Sequence, residues 1–370
     1  MVSAHSARAK RHPAIALGGD RETMNLKTHL DQWAARAGAG APRAEIAQVV
    51  LALSRAAVDL AERISLGPLQ SGFGEVVGEN PDGDAQAALD VVADRLFQAA
   101  LAAAPVAVTG SEECPTAQVL DGEAPLVVVI DPLDGSSNIE TNLSVGTIFG
   151  ILPMTGRGPD AVVLQAGRRL LAAGMVVYGP QTTLILTLGE GTAQFILDRR
   201  ERVFVCTEPK MVIPQGRAEF AINASNYRHW DAAIRAYVDD CNAGVNGPRG
   251  RNLNTRWLAS LVAEASRILN RGGVFLYPAD RRPGYEHGRL RLVYEANPIA
   301  MLIEEAGGAA TDGVRRIRDL VPQQLHQRVP LVFGAADKVE RVTRYYEGPP
   351  STSERSPLFG PRGLFYSARG

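Results

Sequence analysis

Four consecutive aliphatic residues, Val127 to Ile130, run directly into the segment Asp131-Pro-Leu-Asp-Gly-Ser-Ser-Asn138. A short, unalternating run of this kind predicts a strand buried on both faces, and Asp131-Pro132 marks its end. Two carboxylates three residues apart then stand at the carboxyl end of a buried strand, where α/β sheets hold their ligands. Carboxylates that close repel, and each raises the other's pKa unless a cation neutralises them. Gly135 lets the backbone approach a phosphate, and the amides and hydroxyls of Ser136 and Ser137 can donate to its oxygens. An ordinary turn also explains Asp-Gly-Ser-Ser, but not two acids closing so apolar a strand. A calcium loop is excluded by spacing: its third, fifth and twelfth positions would be Leu133, Gly135 and Asn142.

The chain has 370 residues, enough for two domains. Hydrophobic residues are 45% and charged residues 21%, which excludes a mainly disordered or coiled-coil chain. With 39 basic against 40 acidic residues, nothing in the net charge favours nucleic acid or an acidic membrane as a partner. The apolar runs fall short of the roughly 18 residues that a membrane span needs. Cys114, Cys206 and Cys241 are odd in number and widely spaced, as expected in a reducing, cytoplasmic setting.

The expected organisation is an extension over residues 1–23, a first domain over 24–214, a second over 215–347 and an extended tail over 348–370. In the first domain, Ile46, Val49, Val50, Leu53, Ala57, Leu60 and Ile64 have the spacing of an amphipathic helix that covers a sheet. A second helix is predicted from Ala85 to Leu101, then strands over 127–130, 144–152, 171–178, 184–188 and 202–205. Pro209 and Pro214 mark the junction. Beyond it, helices are expected over 230–239, 256–269 and 298–306, and strands over 219–223, 273–277, 290–295 and 329–334.

Further acids fall near element ends: Asp84 and Asp90, Glu112-Glu113, and Glu295 in Tyr294-Glu-Ala-Asn-Pro298. Alone, Glu112-Glu113 reads as a solvated pair and Asp84 as a helix cap. Six helical residues turn 240° net, so Asp84 and Asp90 share a face only if Asp84 lies in the preceding loop. Five to seven carboxylates without a His or Cys ligand set imply a hard cation, Mg²⁺ or alternatively Mn²⁺, and metal-assisted phosphate ester hydrolysis.

These segments, with Val145-Gly-Thr-Ile-Phe-Gly150, Gly272-Gly-Val-Phe-Leu-Tyr-Pro278, Leu290-Arg-Leu-Val-Tyr-Glu-Ala-Asn-Pro298 and Leu325-His-Gln-Arg-Val-Pro330, occur in an order that resembles class 1 fructose-1,6-bisphosphatase from about Leu26 to Tyr346. The resemblance implies a mixed α/β (α+β) sugar phosphatase fold, a layered α-β-α-β-α sandwich, assembled as a homotetramer. It implies hydrolysis of the 1-phosphate of fructose 1,6-bisphosphate, in gluconeogenesis or the Calvin cycle, with sedoheptulose 1,7-bisphosphate as a second candidate. Asp84, Glu112, Asp131, the Leu133 carbonyl, Asp134 and Glu295 would hold metal. Asp90 and Glu113 would orient and deprotonate water. Asp134, Gly135, Ser136 and Ser137 would hold the reacting phosphate. Asn223, Tyr277 and Arg289 would hold the sugar and its other phosphate, with Arg256, beside Trp257, reaching a neighbouring subunit's site. An inositol or sugar monophosphatase and an inactive phosphosugar sensor are the alternatives. Pure binding needs neither Asp90 nor Glu113, which weighs against the sensor.

The sequence departs from the family pattern at Arg289, where lysine is usual, at Trp257, where tyrosine is usual, and in a longer 281–288 loop. If residues 289–295 form one extended strand, Arg289 and Glu295 lie about 20 Å apart on one face, a span suited to a bisphosphate. AMP-inhibited members of the family build a nucleotide site from Thr-Gly-Glu-x-Thr and a Lys-Tyr pair. Here Arg43, Ala44 and Ala47 stand at the Thr, Gly and second Thr, and Pro125-Leu126 at the pair, which implies an enzyme insensitive to AMP.

Overall fold

A computed structural model describes residues 24–36, 42–69, 76–79, 85–156 and 158–348. Its helices are α1 (Leu26–Ala35), α2 (Arg43–Leu66), α3 (Ala88–Ala102), the short α4 (Pro159–Val163), α5 (Ala232–Asn242), α6 (Leu261–Arg271), α7 (Asn297–Glu305) and α8 (Ala336–Glu347). The larger sheet has eight strands, in the spatial order 203–211, 192–198, 182–187, 172–178, 145–153, 126–134, 106–111 and 118–119. The smaller has five, in the order 254–255, 219–221, 274–277, 331–335 and 308–311.

The strand Leu126–Asp134 is buried along its whole length. Successive side chains of a strand point to opposite faces, so Leu126, Val128 and Ile130 pack with α1–α3 while Val127 and Val129 pack with α6 and α7. Covered faces on both sides explain why its sequence is continuously apolar rather than alternating. Each buried side chain of this kind contributes about 1.5–3 kcal/mol, so the strand end is firmly fixed. Phe275 and Phe333 of the smaller sheet join the same core as α6 and α7, while Phe220, Leu276 and Val332 face α5 and α8. The order of layers is therefore helix, sheet, helix, sheet, helix, as the resemblance implies.

Three expected elements differ. The helix expected from Ala85 starts at Ala88, because Ala85–Ala87 pair as a short strand with Val76–Glu79. The helix placed over 256–269 starts only at Leu261, because the Ser260 side chain accepts a hydrogen bond from the Ala263 N–H and caps it there. The strand placed over 290–295 is only Leu290–Arg291, followed by a π-helical turn over Leu292–Ala296 that leads into α7. The 20 Å separation of Arg289 and Glu295 therefore does not hold, since it needs an extended chain. All six residues from Leu290 to Glu295 are buried, so their pattern carries no period by which a strand and a wound turn can be told apart.

Candidate active site

The strands Val106–Ser111 and Leu126–Asp134 are parallel neighbours, with Ser111 beside Ile130. Both chains leave the sheet at the same edge, and the Glu112 N–H donates to the Ile130 carbonyl at 3.1 Å. Register therefore delivers Glu112 and Asp131 to one place. From the other side the π turn brings Glu295, whose carboxylate accepts from the Arg291 N–H four residues back. An extended chain could not close that contact.

Asp131, Asp134 and Glu295 are all buried, and each offers a carboxylate oxygen within 4.8 Å of the others. The Asp131 carboxylate accepts from the Leu133 N–H at 3.0 Å, and that of Asp134 from the Val262 N–H in the first turn of α6 at 3.2 Å. Helix α6 comes this close because Gly146, which pairs with Asp134, has no side chain: a Cβ there would lie 2.6 Å from Val262. Gly135 adopts a left-handed backbone, φ 77°, and starts the turn Ser136–Asn138. Asn138 locks the turn by donating to the Ala259 carbonyl at 2.8 Å.

Burial, reinforced by the Glu295 charge, pushes Glu112 up to about 7. Asp134 and Glu295 are each raised to about 7, again first by burial. Asp131 is raised well above the usual range by burial and by its acidic neighbours Glu112, Asp134 and Glu295. Arg291 lies 3.8 Å from Glu112, and Arg291 and Arg328 both act to lower Glu295. Asp90, on the first turn of α3, is buried and adds to the repulsion on Glu112. Among the described residues, five carboxylates thus face two guanidinium groups. An excess of oxygen ligands with no His or Cys among them fits a hard divalent cation.

Beside Asp134 opens a cavity of about 270 Å³, lined in part by Gly135, Ser137, Asn223, Trp257 and Tyr277. Trp257 stacks on Phe275 with ring centroids 5.8 Å apart and meets Tyr277 edge-on at 5.7 Å. Ser136 lies half-buried on the turn, and Leu133 is buried between the two aspartates. Arg289 stands next to the lining residue Leu290, its guanidinium 4.5 Å from the Tyr285 ring and 5.9 Å from that of Tyr277. Arg256 does not join the cavity; its exposed side chain approaches Glu219 at 4.0 Å. Asp84 lies outside the described residues.

Three residues near the acids escape the sequence reading. Asp94, one turn beyond Asp90 on α3, accepts from the Ser111 hydroxyl at 2.8 Å, and that oxygen accepts from the Glu113 N–H at 3.3 Å. Its i,i+4 spacing from Asp90 is a readable sign. Arg291 is betrayed only by its charge within an apolar run. His326 lies in one of the family segments without an assigned role.

The family models for the N-terminal and C-terminal domains of fructose-1-6-bisphosphatase match residues 32–209 and 213–347. A class 1 fructose-1,6-bisphosphatase from Sinorhizobium medicae is 56% identical over 326 residues, covering 87% of this chain and 93% of that protein. One from Nitrobacter hamburgensis is 53% identical over 92% of this chain and 98% of its own length. The crystal structure of Leishmania major fructose-1,6-bisphosphatase in holo form superposes with a TM-score of 0.82 at 31% identity, over 89% of this chain and 100% of that one. In sequence, in layer order and in the acids gathered at one sheet edge, this chain belongs to the class 1 fructose-1,6-bisphosphatase family of phosphatases.

Proposed function

We propose that the protein hydrolyses the 1-phosphate of fructose 1,6-bisphosphate with Mg²⁺, or alternatively Mn²⁺, yielding fructose 6-phosphate and inorganic phosphate. The observation that carries this reading is the placement of three buried carboxylates within 4.8 Å of one another, one of them lining the cavity. Glu112, Asp131, the Leu133 carbonyl, Asp134 and Glu295 would hold the cation, with Asp84 completing the set. When bound, a divalent cation neutralises phosphoryl charge, favours deprotonated water and stabilises the leaving alkoxide. Glu113 and Asp90 orient a water for attack on phosphorus and take its proton; the phosphorus–oxygen bond to carbon 1 breaks and the sugar oxygen is protonated. The backbone and hydroxyls from Gly135 to Ser137 hold the phosphate being removed. Asn223, Trp257, Tyr277 and Arg289 hold the sugar and its second phosphate.

In this reading the enzyme is a cytoplasmic homotetramer serving gluconeogenesis or the Calvin cycle, divided into domains near residue 214, with Arg256 reaching a neighbouring subunit's site. No helix among the described residues is long and apolar enough to cross a membrane. A phosphate-release assay with Mg²⁺ against fructose 1,6-bisphosphate, sedoheptulose 1,7-bisphosphate and inositol 1-phosphate tests the assignment. Turnover highest with inositol 1-phosphate would replace it.

A further inference from the structure

The segment carrying His326 is laced onto the active-site turn. The strand Arg328–Val329 pairs antiparallel with Leu290–Arg291, and the Leu292 N–H donates to the Gln327 carbonyl at 2.7 Å. Leu325 rests on Gly110, so close that a Cβ at that glycine would lie 2.9 Å from its methyl carbon. His326 then makes two bonds of opposite destination. Its Nε2 is 3.0 Å from the Cys114 carbonyl, and its Nδ1 is 2.8 Å from the Tyr294 hydroxyl.

A carbonyl only accepts, so Nε2 carries the hydrogen and donates to Cys114. In the neutral ring, Nδ1 then accepts from Tyr294. Leu325 and His326 therefore grip the chain at Gly110 and at Cys114, on either side of Glu112-Glu113. Through Tyr294 the same imidazole holds the residue next to Glu295. The sheet fixes Glu112 through its N–H, but the register ends there, and beyond it the Glu113 N–H turns back to the Ser111 hydroxyl.

We propose that His326 is a positioning residue for the hydrolysis: it bridges the loop that carries Glu112 and Glu113 to the turn that carries Glu295, and so sets the distance between carboxylates delivered by different halves of the chain. The proposal rests on the catalytic and metal-binding roles proposed for those glutamates. Outer partners of this kind typically alter activity or metal affinity by about 10–100-fold.

The test uses His326→Ala, His326→Gln and Tyr294→Phe in the full chain, with the double variant His326→Ala/Tyr294→Phe. We expect His326→Ala to lower kcat about tenfold with KM for fructose 1,6-bisphosphate within twofold, and to weaken Mg²⁺ binding measured calorimetrically by a similar factor. His326→Gln, whose amide can still reach the Cys114 carbonyl, should recover part of both. The double variant should be no worse than His326→Ala, because one bridge is cut only once. Losses in the double variant that multiply, or kcat and Mg²⁺ affinity within twofold of the parent in His326→Ala, would overturn the proposal. Should His326→Ala lose its circular dichroism signature, Tyr294→Phe carries the test alone, and unchanged Mg²⁺ affinity there overturns it. A parent protein that binds Mg²⁺ but does not release phosphate from the bisphosphate would instead fault the substrate assignment, leaving the calorimetric comparison to decide the bridge.

Discussion

Two groups of buried carboxylates lie in this molecule, and their surroundings are opposite. Glu219, on the smaller sheet, is contacted by Arg217 at 3.2 Å, Arg267 at 3.1 Å, Arg271 at 3.3 Å and Arg256 at 4.0 Å. Its neighbour Glu264 pairs with Arg267 at 2.8 Å. There the guanidinium groups outnumber the acids, and the charges are matched within the protein. Around Asp131 the acids outnumber the guanidinium groups, and three carboxyls are pushed to about 7. Burial of a carboxylate is common to both. Only the surplus of acid at one of them calls for a ligand from outside.

The largest effect should come from the groups assigned to water. Glu113→Gln and Asp90→Asn should each lower kcat by roughly 10²-fold or more while substrate binding survives, as steady-state kinetics would show; near-normal turnover in both would remove them from that role. Neutralising one acid in each cluster sharpens the contrast further. Asp131→Asn should abolish Mg²⁺ activation yet raise the melting temperature of the metal-free protein, because it relieves repulsion. Glu219→Gln should lower the melting temperature, costing up to about 3 kcal/mol, since it leaves Arg217, Arg256, Arg267 and Arg271 gathered around a single remaining carboxylate, that of Glu264. Melting shifts of the same sign in both variants would dissolve the distinction.

The pH dependence has its origin in the same excess. A carboxyl raised in the folded state binds its proton there more tightly than in the unfolded chain. The contribution of these carboxyls to the stability of the metal-free protein is therefore full below about pH 4.5, the ordinary glutamate value, and is lost as pH rises through about 7. A cation needs the deprotonated cluster, so its affinity should fall about tenfold or more from pH 8 to pH 6, readable by calorimetry. A flat profile would place the binding elsewhere.

Much of the acid cluster was legible because its strand is sandwiched: Val127 to Ile130 could be nothing but buried, and the residues that leave a buried strand are confined to one edge of the sheet. Glu112 was legible only as part of a motif, since the parallel register that sets it beside Asp131 joins segments separated by a loop. Glu295 is legible in the sequence although the conformation of its backbone is not. The turn that carries it lies in a run buried on every side, whose pattern has no period to separate a strand from a wound turn. The segment of His326 is legible but its role is not, as both its partners are distant in sequence.

A smaller effect is expected at Arg289. Arg289→Ala should raise KM about tenfold for the bisphosphate and less for a monophosphate; an equal change would detach it from the second phosphate. The smallest is the absence of one. Arg43, the residue able to restore charge to a nucleotide site, donates to Glu190 at 2.6 Å and to the Trp33 carbonyl at 3.1 Å, and lies over the Trp33 ring. AMP at physiological concentration should leave activity unchanged, and half-inhibition at micromolar AMP would reveal a nucleotide site after all.

The π turn at Leu292–Ala296 has a consequence for how this gene can vary. Such a turn holds one more residue than an α-helical turn. Deleting a single codon within it would bring the backbone toward the ordinary helix that continues as α7, at the cost of turning the buried side chains of Leu292, Val293 and Tyr294 against the core. The same deletion would rotate Glu295 by about 100° and swing its carboxylate out of the cluster. Length variation here would thus be fatal for the chemistry, so the five codons are constrained in number as well as in kind.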